Sequence, residues 1–374
     1  MTVKVFRNTD FGAPTNTSAA GALIAILDAC LVNGYGSQTV TSITRTDTTA
    51  TVTVPTAHLL KDGTFIRISG ATQTDYNGDF AITVMGANTF TYQVANSPAT
   101  PATGTITSKV APANWTKPFS GTNLAAYKQG AGSNGMYLRI DDIASTSNSL
   151  PKARGYENMS DINTGTMGFP TDAQYGTGLN SAMVKSISSA TEWCILATEK
   201  ILYLCSESAT GLRGFHVFGD IASYKNGDIY NTVIITNKSG VYVDQQSAFM
   251  ATFLSSDNAD LSGHFMVRAS TQSGTAITCG KYSEGMTRLG NAGTYPSPVD
   301  NALHIAEITI TESNGGRRGT LPGVWNPLHS RPFSTADIIL GTGDFTGKKF
   351  MAFDFGSNYS GSVGQILLEI SNTW

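Results

Sequence analysis

The chain has 374 residues and a formal net charge of −3, and 40% of its residues are hydrophobic while only 14% are charged. Its polarity comes from threonine, serine, asparagine and 39 glycines, which is typical of strands and turns rather than of exposed helices. The longest basic stretches are the pairs Arg317–Arg318 and Lys348–Lys349, so the sequence predicts no nucleic-acid partner. At roughly 100–200 residues per domain, we expect two or three domains.

One segment near the start has sustained helical periodicity. Ser18 is a suitable N-cap for a helix that runs to about Val32, and Gly34 is a suitable stop. Apolar residues occur nearly all round this helix, so we expect it to be buried. Its apolar run, ALIAILDACLV, is shorter than the ~20 residues that a bilayer requires. The start MTVKVFRNTDFGAP lacks the apolar segment of a signal peptide, so we expect no membrane partner and assembly in the cytoplasm.

Residues 38–110 differ in residue pattern from the segments on either side, and this pattern predicts a small β-module. Short segments of alternating or β-branched residues are separated by turn residues, among them Asn77-Gly78, which suits a tight primed turn. The predicted strands are 38–45, 49–55, 64–69, 79–85, 88–94 and 104–109. We interpret the module as an immunoglobulin-like β-sandwich or barrel inserted into a body made of residues 1–37 and 111–374. Such an insertion requires that the two ends of the module lie close together.

The body after residue 110 is also predicted to be mainly β, with one or two subdomains of sandwich or barrel type. Strand-like segments alternate with Gly/Ser/Asn turns, and no second segment has sustained helical periodicity. These segments are 135–141, 183–188, 193–198, 200–206, 215–221, 230–236, 240–244, 248–254, 264–270, 304–310, 349–355 and 365–371.

The residues that usually carry chemistry are scattered. Five histidines occur without metal-binding spacing, and four cysteines occur without a CxxC pair. We interpret the cysteines as buried reduced thiols, and the sequence leaves open a bridge between Cys194 and Cys205. The sequence therefore predicts no metal and no cofactor.

Paired carboxylates would indicate glycan-cleaving chemistry, but the acids of this sequence do not pair convincingly. If the strand before Asp141 and Asp142 continues, these two side chains point to opposite faces. The loop with Asp257 and Asp260 lacks the spacing and closing glutamate of a calcium loop. Asp220 and Asp228, like Glu157 and Asp161, lie at turns, where such residues cap backbone donors. We predict no catalytic residues and no enzymatic activity.

The exposed turns of the module are the candidate recognition surface. Tyr76, Asn77, Gly78 and Asn88 are the residues that we expect to contact a partner, with the tyrosine ring stacking on a host-surface glycan. Phe90 and Tyr92 share one strand face, which is the core face in the simpler interpretation.

Several stretches of the body resemble virion structural proteins of tailed bacteriophages. They are VKVFRNTDFGAP, SGTNLAAYKQGAGSNGMYLRIDD, ARGYENMSDINTGT, FHVFGDIASYKNGDIYNT and RRGTLPGVWNPLH. The resemblance covers most of residues 1–37 and 111–374, and the module resembles immunoglobulin-like inserts of phage surface proteins. It implies a component of the virion, in the tail or baseplate, that forms a trimer or ring and contacts other virion proteins. The alternatives are a capsid-surface decoration protein and a host receptor- or glycan-binding protein.

Overall fold

The computed structural model describes most of the chain and confirms the mainly-β prediction. Strands account for 49% of the residues and helices for 7%, and all the paired strands are antiparallel. None of the helices in the described part of the chain is long and apolar enough to span a membrane. The described residues are 1–146, 149–175, 181–236, 263–282, 293–313, 315–330, 332–357, 362–371 and 373–374.

The N-terminal helix is shorter than predicted. After strand β1 (Lys4–Arg7), helix α1 (Ala22–Leu27) continues into a π-helical turn (Asp28–Asn33). Ser18 is therefore not the N-cap; Gly21, at φ +84°, is the residue before the first turn. The carboxylate of Asp142 accepts a first-turn N–H at 2.9 Å, so a side chain that is distant in sequence caps this helix. A local capping pattern does not reveal a partner supplied by another element.

The module consists of two four-stranded sheets that face each other across an apolar core. Its strands in chain order are β2 (Tyr35–Thr39), β3 (Ser42–Thr46), β4 (Thr49–Thr53), β5 (Phe65–Ala71), β6 (Gly78–Ala81), β7 (Thr83–Gly86), β8 (Thr89–Gln93) and β9 (Gly104–Val110). They pair in the orders β2-β9-β5-β6 and β3-β4-β8-β7. A 3₁₀ turn (Thr74–Tyr76) connects β5 to β6. The predicted β-sandwich is thus present, with two more strands than the sequence indicated.

The two extra strands arise where a predicted strand passes from one sheet to the other. The predicted strand 38–45 is divided into β2 and β3, and the predicted strand 79–85 is divided into β6 and β7. The divisions occur beside Val40 and at Ile82, which are buried with 8% and 3% exposure. At these corners an apolar side chain enters the core while the chain changes sheet. Alternation continues through such a corner, so the pattern alone does not show the break.

The chain enters and leaves the module at one place. Tyr35 in β2 lies directly opposite Val110 in β9. The backbone N–H of Trp115 then donates to Leu31 in the π-helical turn at 2.9 Å. This is the geometry that an insertion requires, and the predicted boundaries 38–110 stay a prediction.

The next part of the body is a five-stranded meander. Its strands pair in chain order: β10 (Thr116–Gly121), β11 (Leu124–Lys128), β12 (Tyr137–Asp141), β13 (Lys152–Met159) and β14 (Gly165–Phe169). A single helical turn, α2 (Asp172–Tyr175), follows the last strand.

The rest of the body is one large sheet. It contains β1 and twelve later strands: β15 (Trp193–Ala197), β16 (Ile201–Ala209), β17 (Leu212–Asp220), β18 (Ala222–Ser223), β19 (Thr232–Ile235), β20 (His264–Met266), β21 (Ile277–Tyr282), β22 (Ile305–Glu312), β23 (Arg317–Pro327), β24 (Ile338–Leu340), β25 (Lys349–Ser357) and β26 (Ser362–Glu369). A 3₁₀ turn (Gly343–Phe345) connects β24 to β25.

The large sheet curls until it meets itself. The path β17-β19-β20-β21-β22-β23-β26-β25 returns to β17, where Leu212 and Arg213 pair with the end of β25. Apolar side chains of these strands form one core, which also includes residues of β1, β15 and β16. The body is therefore barrel-like, with β1, β15 and β16 attached to one side of β17. The predicted strands 240–244 and 248–254 lie outside the described residues.

Candidate functional site

A groove of about 890 Å³ lies between the module and the large sheet. The loop from His58 to Asp62 forms its module wall, together with the β7–β8 turn at Gly86 and Ala87. Strands β15, β16, β24 and β25 form the opposite wall. Apolar side chains line much of it: Leu59, Leu60, Val84, Trp193, Ile338, Met351, Phe353 and Ile370. The volume falls within the ~300–1,000 Å³ range of binding pockets.

The module wall is a well-anchored loop. His58 is 3% exposed, its ring packs edge-on against Phe90, and its backbone N–H donates to Ala87 at 3.0 Å. Its Nδ1 accepts the N–H of Leu60 at 3.1 Å, which leaves Nε2 as the protonated nitrogen of the neutral ring. Leu59, between them, has a φ of +55° and is 57% exposed. A non-glycine residue is rarely left-handed, so the loop holds this leucine outward at a conformational cost.

Large apolar side chains are exposed around the groove. Leu59 and Ile338, which is 52% exposed, line it from opposite walls. Met85 (65% exposed) lies between two lining residues, and Leu340 (67% exposed) shares the outer face of β24 with Ile338. β24 is the last strand of its sheet path, and edge strands are sites where other chains add. An apolar rim of this kind is typical of contact surfaces.

Polar and charged side chains also line the groove. Arg213 pairs with Glu207 at 2.7 Å, and burial raises the pKa of Glu207 against the effect of that arginine. In the described part of the chain, Nη1 of Arg7 and Nε2 of His58 are buried without a hydrogen-bond partner. The groove thus offers two spare donors beside its apolar side chains, which suits a partner that presents carbonyl or carboxylate oxygens.

The two cysteines at the groove are unsuited to nucleophilic catalysis. Cys194 and Cys205 lie directly opposite each other in β15 and β16, and both are free thiols. Burial raises the pKa of Cys194 to about 12 and that of Cys205 well above its usual value. Both are therefore protonated at neutral pH, and the thiol is a poor nucleophile. Cys30 and Cys279 are buried as well.

The carboxylates singled out in the sequence have structural partners. Asp142 is fully buried and pairs with the equally buried Lys185 at 2.5 Å, while Asp141 is half-buried on the strand before it. Lys185 also donates to two backbone carbonyl groups, so its charge is satisfied. The predicted separation of the two aspartates agrees with this arrangement. Asp257 and Asp260 lie outside the described residues.

The two turn aspartates do more than cap backbone donors. Asp220 is buried and accepts hydrogen bonds from Gln129 and Thr232 as well as from a backbone N–H. Burial raises the pKa of Asp220, which these hydrogen bonds oppose. Asp228 accepts a backbone N–H and also forms an ion pair with Arg318 at 2.7 Å. No group of three or more potential metal ligands occurs among the described residues.

The four predicted recognition residues do not form one surface. Tyr76 is fully buried, and its hydroxyl donates to the carbonyl of Ala99 at 3.2 Å, so its ring offers no stacking face in this structure. Asn77 is extended rather than in a primed turn, and its amide both donates to and accepts from the backbone of residue 71. Gly78 begins β6, whereas Asn88 lies at the opposite end of the β6–β7 run, beside the groove. Recognition by Asn77, Gly78 and Asn88 stays a prediction.

Two features of the site are not evident from the sequence. The groove depends on the pairing of distant segments, and its one local signal is the pair Leu59-Leu60 between turn residues. The burial of Arg318 inside the pattern RRG has no local signal, because two adjacent arginines are usually both exposed. Their positions on opposite faces of β23 separate them.

The chain has little similarity to known proteins. No family model and no curated protein matches it. Among solved structures, the phage phi92 endosialidase is similar at 11% identity with a TM-score of 0.15, over 100% of this chain and 52% of that one. This chain spans about half the length of that protein, and a similarity at this level shows no common fold or activity.

Proposed function

We propose that the chain is a structural component of a tailed-phage virion, assembled in the tail or baseplate region as a trimer or ring. The exposed apolar rim of the groove is the observation that carries this proposal. Exposed large apolar groups concentrated at one concave surface favour a protein contact, since water contacts there are costly. The low charge of the chain and the resemblance of its body to virion structural proteins support the same function.

In this proposal the groove receives part of a neighbouring subunit or of another virion protein. The spare donors of Arg7 and His58 would bind backbone carbonyl oxygens of the inserted segment, and the apolar rim would pack around it. The 3₁₀ turn just before Asn77 and Gly78 lies at the far end of the β6–β7 run and would project outward. The chain acts by binding, and we propose no enzymatic activity, because the groove thiols are protonated and acids such as Asp142 are held in structural pairs.

The proposal is tested with a double variant, Leu59→Ser with Ile338→Ser, and a control, Val299→Ser, which changes a residue that is 91% exposed and outside the groove. We expect the wild type and the control to sediment as one oligomer and to be incorporated into gradient-purified particles. The double variant should stay monomeric and be excluded from particles, with an unfolding free energy within ~0.5 kcal/mol of the wild type.

Equal incorporation of the double variant, or absence of the wild-type chain from purified particles, would contradict the proposal. Particles in which the chain lies on the head rather than the tail would leave an assembly role but correct its place to the capsid surface.

A further inference from the structure

Two cysteines lie opposite each other in the wall of the groove. Cys194 in β15 is the direct cross-strand partner of Cys205 in β16. The side chains of directly opposite residues in an antiparallel pair lie on the same face of the sheet. Both cysteines line the groove, and both pack in the apolar core of the large sheet. The register of one hairpin thus brings two of the four cysteines of the chain together.

The backbone hydrogen bonds of the hairpin define the spacing of this pair. The N–H of Thr198 donates to the carbonyl of Ile201 at 2.9 Å, and hydrogen-bonded pairs recur at every second residue of an antiparallel ladder. Cys194 and Cys205 therefore form a hydrogen-bonded pair, whose Cα atoms are about 5.5 Å apart. This spacing lies within the ~4.4–6.8 Å range of disulfides, and closing the bond requires the Cβ atoms to approach by about 1 Å.

The other two cysteines are not cross-strand neighbours of the groove pair. Cys30 lies in the π-helical turn, in the core on the other face of β15 and β16, together with Ile195 and Leu204. Cys279 lies in β21, directly opposite Glu312 in β22. The register therefore selects one pair of thiols for bond formation.

The groove gives an oxidant access to this pair. Cys194 is partly exposed whereas Cys205 is fully buried, so Cys194 reacts first with a low-molecular-weight disulfide such as oxidised glutathione. Cys194 loses its proton and its sulfur bonds one sulfur of the oxidant, while the other sulfur leaves as a thiolate and takes up a proton. Cys205 then attacks the Cys194 sulfur and releases the second glutathione thiol. Burial raises the pKa of both thiols, which makes the exchange slow.

We propose that Cys194 and Cys205 are an oxidation site at which an intramolecular disulfide forms across the wall of the groove. The bond forms after the chain leaves the cytoplasm, where thiols are kept reduced, for the oxidising surroundings of a released particle. It joins β15 to β16 covalently and so fixes one wall of the surface that we propose for assembly. This consequence rests on the proposed function, whereas the bond itself rests on the register of the two strands.

The test uses the full chain, purified under reducing conditions and then incubated overnight with oxidised glutathione. The protein is unfolded, its remaining thiols are alkylated, and it is examined by mass spectrometry before and after proteolysis. We expect the wild type to lose the two hydrogen atoms of one disulfide and to yield a linked peptide with Cys194 and Cys205, while Cys30 and Cys279 are alkylated. The oxidised protein should also unfold at a higher denaturant concentration than the reduced one.

Serine variants test the order of the two steps. Cys205→Ser should keep a glutathionyl group on Cys194, because the second thiol is absent, and Cys194→Ser should take up about 10-fold less glutathione. Cys30→Ser is the matched control and should form the same disulfide as the wild type. Circular dichroism shows whether each variant is folded, and the linked peptide of the wild type is observed without any variant.

The proposal is overturned if all thiols of the wild type stay free after oxidation, or if the disulfide includes Cys30 or Cys279. Equal glutathione uptake by Cys194→Ser and Cys205→Ser would overturn the order of the steps. The bond is measured in the isolated chain, and the Leu59/Ile338 double variant should oxidise as the wild type does. This proposal and the assembly role therefore fail separately.

Discussion

The module and the body bury their polar groups in different ways. From Tyr35 to Val110, the buried polar side chains are His58, Thr64 and Ser108, and none of them is a carboxylate, an ammonium or a guanidinium. The body, in contrast, buries many ionisable side chains, among them Lys4, Asp10, Asp142, Lys185, Glu207, Asp220, Glu312, Arg318, Asp354 and Glu369.

The difference follows from how each part fixes its loops. In the module, neutral amides such as those of Asn77 and Asn88 satisfy the backbone at turns, and its apolar side chains belong to a core that continues into the body. In the body, charged side chains of strands reach across to other segments, as Arg318 in β23 does to Asp228 in the loop between β18 and β19. Networks of buried ion pairs fix the position of long loops, but they are strongly destabilised when one charged partner is removed. We therefore expect the body to be more sensitive than the module to single substitutions and to pH.

The sharpest test of this contrast is Arg318→Met, which leaves Asp228 and Glu312 without their cation. We expect a loss of about 3–5 kcal/mol in the unfolding free energy of the body. The four tryptophans, at positions 115, 193, 325 and 374, all lie outside the module, so tryptophan fluorescence during chemical denaturation reports on the body. Lys225→Met, at an exposed lysine of the loop after β18, is the control and should change stability by no more than ~0.5 kcal/mol. A small effect of Arg318→Met would mean that the buried network is not a main support of the body.

The body is also the part whose construction is hardest to predict. Alternation in segments such as 200–206 and 349–355 correctly indicates strands, because a half-buried strand needs a period of two. The order in which thirteen strands pair depends on contacts between distant segments, which local patterns do not encode. The same holds for the groove, which two separate units form together.

In the module, local signals are more informative, and their failures are instructive. The β-branched runs predict its strands, but the predicted turn at Asn77-Gly78 is wrong in type. The 3₁₀ turn ending at the buried Tyr76 already reverses the chain, so Asn77 stays extended and uses its amide to bind the backbone. The turn preference of a dipeptide is overridden when burial of an adjacent aromatic ring in the core contributes more free energy.

A second test uses pH, and it concerns His216 in β17. This ring is fully enclosed and accepts the N–H of Val184 at 2.8 Å, and burial lowers its pKa to about 3. Because the unfolded chain binds a proton near pH 6.5 and the folded chain does not, folding stability falls as the pH drops from 6.5 towards 3. The slope is about 1.4 kcal/mol per pH unit for one such group.

Denaturation curves at several pH values should show this loss in the tryptophan signal of the wild type. His216→Gln keeps an acceptor for Val184 but has no proton to bind, so its stability relative to the wild type should improve steadily below pH 6.5. The difference between the two proteins isolates this residue from the buried acids, whose raised pKa values act in the opposite direction. Parallel pH profiles for the two proteins would show that His216 is protonated in the folded state or is not enclosed.

The smallest of the three effects lies in the module. Asn77→Ala removes two hydrogen bonds to the backbone of residue 71, at 2.9 and 2.8 Å, and leaves those groups half-buried. We expect the free energy of unfolding of this region to fall by about 1–2 kcal/mol, as measured by hydrogen exchange of the amides in β5 and β6. Asn96→Ala is the control, because its exposed side chain bonds only to that of Asp75. If the module unfolds independently of the body, the tryptophan transition should not move in either variant. A shift of that transition with Asn77→Ala would show that module and body unfold together, and the ion pair of Lys4 in β1 with Asp79 in β6, at 2.7 Å, would then be the first link to examine.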